Sequence, residues 1–104
     1  MTHRVYFLNK LHDGADPAAY EAWIRTGDYP VARACPAILS YDVTRIESTL
    51  DGTGTPSVAY LEVLEVTSLE EYQAAVATPE FEKLLGEWSE FVASAEAIHG
   101  SVLE

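Results

Sequence analysis

The chain has 104 residues, 17 of them acidic and six basic, and a formal net charge of −11. That length suits one domain, residues 1–104, and is too short for two. The acidic balance leaves no basic footprint for nucleic acid and argues against anionic membrane surfaces, while 48% hydrophobic residues argue against disorder.

Residues 4–11 read as a strand, because Val5, Tyr6, Phe7 and Leu8 are β-formers, and His12-Asp13-Gly14 ends it with turn residues. Asp16 and Pro17 then open a helix as N-cap and first helical residue. Tyr20, Trp23 and Ile24 recur at i, i+3 and i+4, which is one apolar helix face. Gly27 is expected to stop this helix. Asp28-Tyr29-Pro30 is expected to turn the chain in a new direction, since the residue before proline is pushed out of the α region. A second short helix over 31–35 ends at Pro36.

Residues 37–47 read as a second strand and 48–56 as a loop, with Asp51-Gly52 as a turn signal. A third strand spans 57–66 with apolar groups on both faces. Ser68 and Glu71 form a capping box at the start of the next helix. Thr78-Pro79 starts a longer helix to about Val92, whose Phe81, Leu84, Leu85, Trp88, Phe91 and Val92 keep a helical period. Residues 95–103 close the chain as a fourth strand. The order β-α-β-β-α-β is the ferredoxin-like plan, an α+β fold with an antiparallel sheet. Helices cover one face of such a sheet. The apolar groups left on the other face predict a homodimer that packs two sheets together, with a ligand cavity between sheet and helices.

The stretch of residues 15–36 carries a family resemblance. Ala15-Asp16-Pro17-Ala18 with Trp23, then Asp28-Tyr29-Pro30, Arg33 and Pro36 before a strand, is similar to the HapK/RedY-like proteins of prodigiosin-type and bisindole pathways. A weaker similarity continues through Thr78-Pro79 to the last strand. The resemblance implies a dimeric α/β barrel and, for some members, cyclase or condensation activity.

No phosphate-binding glycine loop, nucleophile elbow or zinc spacing is present, so catalysis is expected without cofactor or metal. His99, mid-strand beside Gly100, is a general acid–base candidate, against the alternative of an edge or core histidine. Asp28 is either a helix cap or a carboxylate that orients a substrate N–H. Glu62 shares a strand face with Tyr60, and is either a desolvated acid or a surface carboxylate. Trp23, Tyr29 and Tyr60 are candidate walls for a flat substrate, or packing groups. Arg33 either holds an anionic substrate group or balances local carboxylates. The lone Cys35 has no base near it in sequence and reads as packing.

With the resemblance counted, the expectation is a cofactor-independent cyclase or condensation enzyme acting on an indole- or pyrrole-type intermediate of natural-product biosynthesis. His99, Asp28 and Glu62 would be catalytic, and Trp23, Tyr29, Arg33 and Tyr60 would bind substrate. The alternatives are a cofactor-free monooxygenase of the same barrel fold, or a non-catalytic binder of an unstable intermediate. One cysteine, no leader-like segment and no run near the ~20 apolar residues of a membrane span lead to a cytoplasmic expectation.

Overall fold

A computed structural model describes all 104 residues, Met1 to Glu104. Four strands form one antiparallel sheet: β1 (His3–Leu11), β2 (Ile38–Arg45), β3 (Tyr60–Val66) and β4 (Val92–Ser101). Their order is β2-β3-β1-β4, the ferredoxin-like arrangement. Between β1 and β2 lie α1 (Pro17–Trp23), a π turn (Ile24–Asp28) and α2 (Tyr29–Arg33). Between β3 and β4 lie α3 (Leu69–Val76) and α4 (Pro79–Phe91). No helix is long and apolar enough to cross a membrane.

The helix starts form as their local chemistry dictates. Asp16 accepts the Ala18 N–H at 3.0 Å, and Ser68 accepts the Glu71 N–H at 3.0 Å. The expected break at Gly27 does not occur. The chain stays helical across Gly27 and Asp28, and Tyr29, before proline, keeps helical angles of φ −54° and ψ −47°. The physical reason is a widened turn, in which the Tyr29 N–H reaches back to the Ile24 carbonyl. A π turn inserts one extra residue and re-aims the side chains after it. Asp28 therefore makes no capping hydrogen bond and is buried at 5% exposure.

Strand alternation divides the sheet into two faces. The helix-covered face of β3 carries Tyr60, Glu62, Leu64 and Val66, all buried. Its core has two lobes, one built on Val5, Ile38, Tyr41, Leu64 and Tyr72, the other on Tyr20, Ile24, Tyr60 and Val92. Cys35 packs against the first lobe. The uncovered face carries Tyr6 and Leu8 beside their register partners Val63 and Leu61, with Ile98 opposite Tyr6 on β4. Ile98 is 45% exposed there.

Candidate functional site

Three polar side chains are buried under the helices: Asn9, Asp28 and Glu62. Each comes from a different element. Asn9 lies late in β1, Glu62 sits mid-β3, and the π turn delivers Asp28 from above the sheet. Tyr41 of β2 joins the two acids. Its hydroxyl is 2.6 Å from Asp28 Oδ2 and 2.9 Å from Glu62 Oε1. A phenol has one proton to donate. Both contacts are hydrogen bonds only when one carboxyl is protonated and donates to the phenol oxygen. The acids and Tyr41 thus form a chain along which a single proton can be shared.

Glu62 Oε2 accepts the Trp88 indole N–H at 3.1 Å and an Asn9 amide N–H. The Asn9 Oδ1 atom is buried without a hydrogen-bond partner. Desolvation pushes Glu62 upward, against the lowering effect of its bonds from Asn9, Tyr41 and Trp88. Asp28 is pushed up to about 7, first by burial and then by the neighbouring Glu62 charge, while the Tyr41 bond and Arg33 oppose the rise. Burial also raises the Tyr41 phenol, so it stays protonated at neutral pH.

Asp28, Tyr41 and Glu62 line a cavity of about 310 Å³, within the range of small-molecule sites. Its other walls are apolar, and five of the residues in them are aromatic: Phe7, Trp23, Tyr72, Phe81 and Trp88. Trp23 and Trp88 are held by their indole N–H groups, which donate to Glu87 at 3.0 Å and to Glu62 at 3.1 Å respectively.

Of the residues singled out from sequence, Asp28, Glu62 and Trp23 meet at this cavity. Tyr29 and Arg33 lie behind it. The Arg33 guanidinium stacks 3.6 Å from the Tyr29 ring centroid and donates to the Tyr41 carbonyl at 3.0 and 2.8 Å. It also pairs with Asp42, and the Tyr29 hydroxyl accepts the Val43 N–H at 2.8 Å. Both side chains therefore hold the β2 backbone that carries Tyr41. Tyr60 packs edge-on to Tyr20 and donates to Glu21 at 2.7 Å, in a separate polar cleft with Arg45. His99 does not reach the cavity. It stands exposed on β4, an edge strand, with its Nδ1 3.0 Å from His3 Nε2.

Tyr41, Asn9 and Trp88 are the functional candidates that sequence reasoning missed. Tyr41 looked like one more apolar strand residue, and Trp88 like one more member of a helix stripe. The available signal was that Tyr41 and Glu62 both fall on the apolar face of their strands.

The raised carboxyls have a consequence for stability. A carboxyl whose folded pKa lies above its unfolded value binds more protons in the folded state. Stability then falls as pH rises between the two values, here from about 4 to about 7 for Asp28. Asp28→Asn removes that slope. We expect the variant to gain melting temperature over the wild type at pH 8 and to lose most of the gain at pH 5. Thermal unfolding at the two values checks this, and an equal loss at both would show that the Asp28 charge is not under strain.

Comparisons with known proteins bear on the whole chain. No curated protein sequence matches it. Among solved structures, HapK from Hahella chejuensis superposes with a TM-score of 0.82 at 24% identity, covering 97% of this chain and 92% of that one. An EthD family protein from Bacillus halodurans gives 0.78 at 18% identity, over 99% and 100% of the two chains. A dimeric ferredoxin-like protein of unknown function from Thermobifida fusca gives 0.76 at 18% identity, over 98% and 92%. These likenesses establish the ferredoxin-like fold. The family model described as REDY-like protein HapK matches residues 3–103, and the chain belongs to that family.

Proposed function

We propose that this chain is a cofactor-independent enzyme that cyclises or condenses an aromatic, nitrogen-containing intermediate of indole or pyrrole type in natural-product biosynthesis. One observation carries the reading: two buried carboxyls joined through a single phenol in an aromatic-walled cavity. Such a pair offers an acid and a base at the same pH, because one carboxyl keeps its proton while the other is ionised. In this reading the ionised carboxyl of the pair takes a proton from the substrate, and the protonated one gives its proton to the substrate oxygen, which departs as water. Tyr41 passes the proton back between them and restores the starting state. Trp23 and Trp88 hold the flat ring, and the apolar walls keep the reacting ends together and water out. Membership of the REDY-like HapK family supports the reading.

The same proposal moves the proton-transfer role away from His99, whose imidazole is solvent-exposed and paired with His3. Assayed on indole and pyrrole carbonyl compounds, Asp28→Asn and Glu62→Gln should each lower turnover by about 10²–10⁴, the usual cost of losing a general acid or base. Tyr41→Phe should lower it at least tenfold. His99→Ala and Cys35→Ser should turn over normally per folded molecule. Loss of turnover in His99→Ala with retention in Asp28→Asn would reverse the assignment.

A homodimer is the second part of the proposal. Only 14 of 104 residues are buried in the single chain, and Tyr6, Leu8, Leu61, Val63 and Ile98 lie together on the sheet face without helices. Soluble chains rarely leave such a patch wet. A relative of the same fold is described as dimeric. Sedimentation at micromolar concentration should give about twice the chain mass, and Leu61→Glu should give the monomer. A monomeric wild type would contradict the dimer.

A further inference from the structure

The cavity has acids and aromatic faces but no cation. Six lysines and arginines are all the chain has, and none lines it. Arg33 is committed to Tyr29, the Tyr41 carbonyl and Asp42. Arg25 and Arg45 are both drawn to Glu21. Arg4 and Lys10 alternate onto the opposite face of β1, and Lys83 is exposed on α4.

Most polar hydrogens at the cavity are also spent, and the Tyr72 hydroxyl is the one neutral donor on its wall that makes no hydrogen bond. Trp88 donates to Glu62, Trp23 donates to Glu87, and the Tyr41 proton lies between two carboxyls. A ligand carboxylate placed here would meet two acids, no cation, and the Tyr72 hydroxyl as its one free neutral donor. A charge buried without a partner is costly. A ligand cation would meet the opposite. The Asp28 carboxyl accepts only from Tyr41 and keeps lone pairs for another N–H. The faces of tryptophan and tyrosine attract a cation as well.

From this arrangement we propose that the cavity binds flat aromatic molecules as cations, with an ammonium or iminium N–H on Asp28, and rejects those that carry a carboxylate. The inference rests on the proposed function only in taking the same cavity as the ligand site. It narrows the substrate to a protonated amine or an iminium, and of the two the iminium carries an electrophilic carbon that a neighbouring indole or pyrrole can attack. It also gives the two carboxyls a second task, since a cation that forms during condensation would be paired where it forms. Arg33, which from sequence was a candidate to hold an anionic group, has a different part. It positions Tyr41 through the β2 backbone.

Three probes of one shape separate the possibilities: tryptamine, tryptophol and indole-3-propionate are cationic, neutral and anionic. Isothermal titration calorimetry of the full chain at pH 8 should give tryptamine at least tenfold tighter binding than tryptophol. Indole-3-propionate should bind at least tenfold more weakly than tryptophol. Asp28→Asn, checked for folding by its melting temperature, should bring the tryptamine-to-tryptophol ratio close to one. Glu62→Gln should reduce that ratio less, because Glu62 is already held by Asn9 and Trp88. Tightest binding of the neutral or anionic probe by the wild type would overturn the inference and leave the proposed chemistry standing. So would an undiminished ratio in Asp28→Asn. Failure of all three probes to bind would overturn both.

Discussion

One hydroxyl sits between two buried acids, and the arrangement under the helices depends on it. Two ionised carboxylates so close in an apolar interior would repel strongly, and each would pay its desolvation alone. The Tyr41 phenol, 2.6 Å from one and 2.9 Å from the other, makes a single shared proton the stable solution. It also ties β2 to β3 and to the π turn at one point. The acid–base potential of the site and its sensitivity to pH follow from the same contact.

The scaffold keeps that contact in place from behind. Arg33 stacks on Tyr29 and grips the Tyr41 carbonyl, while Tyr29 accepts the N–H of Val43. Two side chains thus fix the stretch of β2 on both sides of the bridging phenol. The π turn fixes Asp28, because the extra residue rotates its side chain inward and away from any capping role. Trp88 and Asn9 fix Glu62 from α4 and β1. A polar cluster this well held costs stability when charged, yet gives a defined geometry for proton transfer.

The architecture was legible because it is written locally. Asp16-Pro17, Ser68 with Glu71, and the helical period from Phe81 to Phe91 each sit at or within the element they predict. Glu62 was half legible: alternation puts it on one face with Tyr60, Leu64 and Val66, but β3 has apolar groups on both faces, and only the helices decide which one is buried. Asp28 was harder. Gly27 and Pro30 looked like a break, and a widened helical turn has no sequence period of its own. The position of His99 was not legible because strand order is a long-range property. Only the pairing of β4 with β1 alone makes it an edge position, and nothing in the run from Ala95 to Leu103 says so. Tyr29 and Arg33 belong to the site's support rather than its wall, a distinction that depends on where β2 passes.

The central claim is that the Asp28–Tyr41–Glu62 chain keeps a proton near neutral pH. The most direct measurement is the titration of the side-chain carboxyl carbons by NMR, with Asp28→Asn and Glu62→Gln used for assignment. The account predicts a carboxyl at Asp28 with a midpoint near 7, and a Glu62 that also titrates above the usual glutamate range. Both resonances completing their titration in the ordinary carboxylate range, around pH 4, would contradict it.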